Sequence, residues 1–273
     1  MRRRSPQEAA FLVAKRQALS LEVLVVEEIA VTSQNGVGCI RIDRPSKKNA
    51  LTTGMYGAMA DALASFADDD AIRAVIIRGG ADFTAGNDLQ DFMTASMSGI
   101  SFEDLPVLRF LGALRDFQKP VVAAVRGNAV GIGTTLLLHC DVIVASPTAR
   151  FRLPFAQLGL VPEAASSYLL PLTVGRTRAS WLLLAGEFFS SDEALAMGLI
   201  TKIAGDDEVD GVADELAAKL AAMPPIALRE TKRLMREPTS DQVQRQMDAE
   251  TALFTQRLGS DEFRAAVMKI LSR

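Results

Sequence analysis

The stretch KPVVAAVRGNAVGIG, residues 119–133, places an apolar segment directly before a glycine-rich turn. Val121–Val125 is entirely apolar and is entered by Pro120, which predicts a short buried strand. The turn Gly127–Gly133 leads into the apolar segment Thr134–His139, for which we predict a helix. A strand–turn–helix order of this kind leaves backbone N–H groups free at the helix N-terminus, where they can stabilise negative charge developing on an oxygen.

A second glycine-containing loop follows another predicted strand. Ala74–Ile77 is short and rich in β-branched residues, and Gly79-Gly80 comes shortly after it, which predicts a buried strand and a turn. The loop Asp82–Leu89, with Gly86 near its end, comes next. Each loop by itself is also compatible with an ordinary turn, so the two have to be interpreted together with the rest of the chain.

The elements around these loops alternate between strands and helices. Leu21–Val31 and Gly36–Ile42 are separated by a polar turn that ends in Asn-Gly, which predicts a hairpin. Apolar residues at helical spacing predict an amphipathic helix over Thr52–Asp68, with a threonine as its cap. We also predict a helix over 102–117 and a strand over Val142–Ala145. This alternation favours crossover connections and a largely parallel sheet.

The last third of the chain is predicted to be helical. Apolar stripes predict helices over 209–220 and 226–236, the second ending before Pro238, and two more over 240–258 and 261–271. We therefore divide the chain into an N-terminal extension, 1–20, an α/β core, 21–200, and a helical C-terminal region, 201–273.

Composition excludes several classes of protein. The 273 residues include 30 basic and 33 acidic ones, so the net charge of −3 offers no positive field for nucleic acid. The apolar runs are too short to cross a membrane. Two cysteines and one histidine exclude a disulfide framework and a four-ligand zinc site. We interpret His139, which ends the apolar segment, as structural.

The standard nucleotide and hydrolase signatures do not match. Gly131 and Gly133 begin a dinucleotide fingerprint, but its third glycine would fall at Leu136. The sequence contains neither the lysine-serine pair of a phosphate-binding loop nor the G-x-S-x-G turn of a serine hydrolase.

In their order and spacing, several segments resemble the crotonase superfamily, the enoyl-CoA hydratase/isomerase family. The resemblance extends from about Val23 to the C-terminus. It implies a spiral of β-β-α turns, a helical C-terminal region that drives assembly into a homotrimer or a dimer of trimers, and an acyl-CoA thioester as ligand. The matching segments are Arg44–Leu51, Phe83–Leu89, Lys119–Gly127, Gly131–Gly133, Cys140-Asp141 and Ala196–Ile200.

The resemblance also implies which residues form the site. The backbone N–H groups of Asn87 and Ile132 would hold the thioester oxygen. Isoleucine at the second position keeps the N–H but disfavours a positive φ. Arg44, Lys47 and Lys48 would lie near the phosphates and adenine of coenzyme A, and Phe155 lines the acyl tunnel or is simply core. The other substrate-binding residues would be Ala50, Ala85, Gly86, Asp88, Leu89, Gly131 and Pro162.

The acid–base residues distinguish the reactions of this family. Typical hydratases of the family carry two glutamates, and the matching positions here are Thr135 and Phe155, which cannot transfer a proton at neutral pH. Glu163, after Pro162, resembles the single base of the peroxisomal-type isomerases that convert 3-enoyl-CoA to 2-enoyl-CoA. Without that resemblance, Glu163 is also compatible with an acid in the first turn of a helix, where it complements the helix dipole.

We therefore expect an enoyl-CoA isomerase of fatty-acid β-oxidation, without a metal or a permanently bound cofactor. One alternative is a hydratase (a lyase) or another crotonase-type acyl-CoA chemistry. The other is an acyl-CoA-binding module without catalysis. In the absence of a recognisable signal or membrane span, we expect a cytoplasmic bacterial protein that binds neither nucleic acid nor membrane.

Overall fold

The computed structural model describes residues 24–26, 28–97 and 105–271. The predicted extension 1–20 lies outside the described residues. The strands are β1 (Leu24–Val26), β2 (Ile29–Gln34), β3 (Val37–Ile42), β4 (Ala74–Arg78), β5 (Val121–Val125), β6 (Asn128–Val130), β7 (Val142–Ala145), β8 (Arg150–Arg152), β9 (Phe189–Ser190) and β10 (Lys202–Ile203). The helices are α1 (Thr53–Asp68), α2 (Leu89–Met97), α3 (Pro106–Asp116), α4 (Ile132–Thr135), α5 (Ser166–Val174), α6 (Arg176–Ala185), α7 (Ser191–Ala196), α8 (Val209–Ala221), α9 (Pro225–Leu258) and α10 (Asp261–Leu271).

Short 3₁₀ helices complete the connections between these elements. They lie at Pro45–Lys47, Leu136–His139 and Ala156–Leu158. The second continues α4, so the helix predicted over Thr134–His139 begins two residues earlier, at Ile132, and ends as a tighter turn. No helix among the described residues is both long enough and apolar enough to span a membrane.

The larger sheet has the order β1-β2-β3-β4-β5-β7-β10. Its first three strands are antiparallel, and from β3 onward neighbouring strands run parallel. The predicted hairpin is confirmed between β2 and β3, but the range Leu21–Val31, predicted as one strand, contains both β1 and the start of β2, which pair antiparallel. Strand β2 extends to Gln34, so only Asn35-Gly36 turns the chain. These two residues have φ of 51° and 80°, as a two-residue hairpin turn requires.

Helices cover both faces of this sheet. Alternate residues of β4 separate to opposite sides: Val75 and Ile77 join the core beneath α1 and α3, whereas Ala74 and Ile76 pack against α8. The strands are therefore buried on both faces, which explains their continuously apolar sequences. A smaller sheet has the order β6-β8-β9. Its strand β6 lies within the predicted turn Gly127–Gly133, which is therefore partly extended.

The prediction that Pro238 separates two helices is wrong. A single helix, α9, runs through it from Pro225 to Leu258. Thr239 Oγ1 donates to the Arg236 carbonyl at 3.1 Å in the turn around the proline. Lys232 and Arg236 are ion-paired with Asp141 at 2.7 and 3.0 Å, so contacts to the core hold the helix on the N-terminal side of the proline.

Candidate active site

The two predicted loops lie side by side. Thr84 and Ala129 form a parallel bridge in which the Thr84 N–H donates to the Asn128 carbonyl at 2.9 Å, and the Val130 N–H to the Thr84 carbonyl at 3.0 Å. A Cβ on Gly86 would lie 2.8 Å from the Val130 carbonyl oxygen, and Gly86 has φ of 93°. This position therefore requires glycine both for space and for backbone conformation.

The Asn87 N–H is directed away from the neighbouring backbone segment at Leu51. Leu51 donates to the Gly86 carbonyl and accepts from the Asp88 N–H, both at 2.8 Å. In such a parallel bridge the residue between the two bonded positions turns its own N–H to the other side. Among the described residues, no carbonyl accepts from the Asn87 N–H, so this donor is available to a ligand.

The second donor, the Ile132 N–H, begins helix α4. The Gly131 carbonyl accepts from Thr134 and Thr135 at 2.9 and 3.0 Å, but the first N–H of a helix has no acceptor within it. Gly131 has φ of 57°, whereas Ile132 has an ordinary negative φ. Isoleucine is tolerated at this position because the glycine before it adopts the positive φ.

A cavity of about 600 Å³ lies beside both donors. It also receives apolar side chains from the C-terminal helices, including Phe254 and Phe263, which sequence patterns assigned only to helix faces. The predicted site residues that line it are Ala85, Gly86, Asn87, Leu89, Gly131, Ile132, Phe155 and Glu163. Phe155 is 5% exposed and is therefore both tunnel wall and core.

Glu163 lies partly buried in the cavity wall, in the turn before α5. Burial, reinforced by the nearby charge of Glu250, raises its pKa to about 8. Thr135 Oγ1 donates to Glu163 Oε1 at 3.4 Å and partly opposes this rise. Thr135 occupies a position where typical hydratases carry a glutamate, and here its hydroxyl contacts the one glutamate that lines the described cavity.

Comparison with known proteins identifies the family. The enoyl-CoA hydratase/isomerase family model matches residues 32–271. Human enoyl-CoA delta isomerase 2 is 36% identical over 251 residues, which cover 90% of this chain and 64% of that protein. The 2,3-dehydroadipyl-CoA hydratase of Escherichia coli K12 is 31% identical over 249 residues, covering 91% and 97%. An enoyl-CoA hydratase/isomerase structure from Pseudoalteromonas atlantica T6c has a TM-score of 0.85 at 42% identity, covering 90% and 97%.

The chain belongs to the enoyl-CoA hydratase/isomerase family. Its α/β architecture with a helical C-terminal region is the crotonase fold of the solved relatives, as the sequence segments predicted. The chain spans less than two thirds of the human delta isomerase and 63% of its rat counterpart.

The residues that the family resemblance assigned to coenzyme A are only partly near the cavity. The guanidinium group of Arg44 is ion-paired with Glu28 at 2.8 Å and with Asp88 at 2.7 Å, and it donates to the Ala50 carbonyl at 2.9 Å. This cluster fixes the loop after β3. Lys47 and Lys48 are exposed. Like Pro162, these residues lie outside the cavity lining, and their contact with coenzyme A stays a prediction.

Sequence reasoning missed Tyr56, which lies on the buried face of α1. Its hydroxyl donates to Oδ1 of Asn87 and thereby fixes the side chain of a residue that the sequence predicts to be an oxyanion donor. Burial, followed by the charges of Glu163 and Asp91, raises the tyrosine pKa well above its ordinary value, so the phenol stays protonated. In the sequence Tyr56 looked like any other core position of an amphipathic helix.

Proposed function

We propose that the chain converts a 3-enoyl-CoA to a 2-enoyl-CoA, with Glu163 as the single base. The observation that carries this proposal is the composition of the cavity wall. Within the described lining, Glu163 is the only carboxylate, and it shares the cavity with the two N–H donors. A 1,3-proton shift needs one group that accepts a proton and returns it, whereas hydration needs both an activated water and a proton donor.

In the proposed mechanism, ionised Glu163 removes a proton from C2 of the bound thioester. The electron pair moves onto the carbonyl oxygen and gives a dienolate, which the N–H groups of Asn87 and Ile132 stabilise. The protonated glutamate then returns the same proton at C4, and the double bond moves to the 2,3-position. A pKa raised to about 8 makes the ionised carboxylate a stronger base and helps it retain the proton for return. It also leaves Glu163 mostly protonated at neutral pH, so the rate should rise as the pH approaches 8.

The substrate would enter with its acyl chain among the apolar lining residues, such as Leu160 and Phe254. Coenzyme A is part of this substrate, and the exposed Lys47 and Lys48 would attract its phosphates. Relatives named as delta isomerases support the proposed isomerase function. The relative named as a hydratase supports the alternative, but Thr135 and Phe155 offer no second acid for hydration.

The test compares isomerisation and hydration in the same preparation. Wild type should convert 3-enoyl-CoA substrates much faster than it hydrates crotonyl-CoA. Glu163→Gln should lose at least about a hundredfold in isomerisation, since a general base contributes roughly 10²–10⁴-fold, while acyl-CoA affinity changes little. Glu215→Gln, at an exposed position of α8, is the matched control. Faster hydration, or normal isomerisation by Glu163→Gln, would show that the assignment is wrong.

We also propose assembly into a homotrimer or a dimer of trimers. Large apolar side chains of α5 and α6 are exposed, with Leu172 and Trp181 at 61% and Leu184 at 75%, and a covered interface would bury them. Light scattering should give three or six times the chain mass of 29.4 kDa. Leu184→Glu should shift the mass towards the monomer, and a wild-type monomer would contradict the proposal.

A further inference from the structure

The turn that carries Glu163 has an unfavourable backbone. Ala164 and Ala165 follow it with φ of 60° and 54°, a region that residues with a Cβ rarely adopt. Two such residues in succession persist only where their surroundings hold them. Helix α5 begins immediately afterwards, and its N-cap residue, Ala165, has no side chain that can accept a hydrogen bond.

One side of this turn is held by His139. Its Nε2 lies 2.8 Å from the Ala164 carbonyl oxygen. Burial lowers the histidine pKa to about 4, so the ring is uncharged at neutral pH. Its Nε2–H donates to the Ala164 carbonyl. His139 therefore has a structural contact adjacent to the catalytic turn.

The other side is held by α9, from the opposite end of the chain. Glu250 is 4% exposed. Its Oε1 accepts from the Ser167 N–H at 2.9 Å and from the Ser167 hydroxyl. Gln246, one helical turn earlier, donates to Ser167 Oγ at 2.8 Å. An acceptor from another helix thus satisfies an N–H of the first turn of α5.

We propose that Glu250 is a positioning residue for Glu163. The Glu250 carboxylate replaces the missing N-cap of α5, and its negative charge acts on the carboxyl group of Glu163 in the turn before α5. This inference rests on the proposed role of Glu163 as the base. It deepens that role by naming what holds and tunes the base.

Electrostatics around the turn support the assignment. Glu250 Oε2 is buried and has no hydrogen-bond partner among the described residues. When Glu250 is ionised, its charge raises the pKa of Glu163. Burial raises the pKa of Glu250, and its bonds to Ser167 and Ala165 oppose that rise. The other titratable or charged groups near Glu163 are Tyr56 from α1, His139 behind the turn, and Arg152 and Lys269 in the cavity wall.

The decisive variant is Glu250→Gln, which keeps an acceptor oxygen for Ser167 and removes the charge. The Glu163 pKa should fall by at least about half a unit, and the acid limb of the kcat/KM profile should move to lower pH. Glu250→Ala also removes the cap, so kcat should fall by about tenfold with little change in KM. Glu237→Gln, exposed on the same helix, should leave the limb, kcat and KM unchanged.

A ¹³C NMR titration of the glutamate carboxyls measures the Glu163 pKa without any turnover, with Glu163→Gln assigning the signal. If Glu250→Gln titrates like wild type, the inference is wrong, whatever Glu250→Ala does. If the pKa falls as expected but wild type isomerises no enoyl-CoA, the proposed reaction fails while the coupling between the two carboxyl groups stands.

Discussion

Replacing Ile132 with proline removes one of the two proposed oxyanion donors and so tests its role. The Ile132 N–H has no acceptor within α4, and proline suits the first position of a helix. Loss of one such donor raises the barrier by about 2.7–4 kcal/mol, so kcat for isomerisation should fall by roughly a hundredfold to a thousandfold. The Asn87 N–H remains, and with it a residual rate.

The matched control is Ile132→Val, which keeps the N–H. Ile132 is 1% exposed, so either change removes buried carbon, and the valine variant should lose about 0.5–1.5 kcal/mol of stability. Turnover should be measured at pH 9, where Glu163 is largely ionised, and circular dichroism melts must show that both variants fold. A folded proline variant within about threefold of the valine variant would refute the donor role.

Three further predictions follow from the same geometry. Between about pH 4.5 and 8 the folded wild type binds more protons at Glu163 than the unfolded chain, so its stability falls by up to about 1.4 kcal/mol per pH unit. Glu163→Gln lacks this slope, so its melting temperature should rise relative to that of the wild type from pH 5 to pH 8. A difference between the two melting temperatures that stays constant with pH would contradict the raised pKa. Gly86→Ala places a Cβ against the Val130 carbonyl oxygen, so urea unfolding should show a loss of roughly 1 kcal/mol or more, together with lower kcat. Tyr56→Phe and Asn87→Ala both remove the bond between the two side chains but keep the Asn87 backbone donor, so each variant should keep most of the wild-type kcat and KM.

Elements with strong local patterns could be predicted from the sequence. The strands at Ala74, Val121 and Val142 are continuously apolar because helices cover both faces of the sheet, and that signal is visible in a few residues. The Asn35-Gly36 turn is similarly local, since its two positive φ values suit these residue types. Both glycine-containing loops could be predicted as strand-to-helix turns, and the family resemblance then implied which N–H groups would act as donors.

Features that depend on distant contacts could not be predicted. Pro238 predicted a helix end, yet bonds to Asp141 and packing on the core keep α9 continuous. The ion pairs of Arg44 with Glu28 and Asp88 could not be read from the sequence, because the two carboxylates are far apart in the chain. Glu250 resembled any acid on a polar helix face, because its contact with Ser167 exists only when α9 crosses the start of α5.

The backbone donors and the carboxylate base differ both in how well the sequence predicts them and in their chemical role. The Asn87 and Ile132 donors would stabilise the enolate of any acyl-CoA thioester, so they do not select among the reactions of this family. The choice depends on which carboxylate reaches the substrate and how readily it holds a proton. Here that carboxylate belongs to Glu163, whose turn is held by hydrogen bonds from His139 to Ala164 and from Ser167 to Glu250. The turns that carry the two donors are therefore visible in local sequence, whereas the selective step, on the proposed function, depends on how α9 packs against the start of α5.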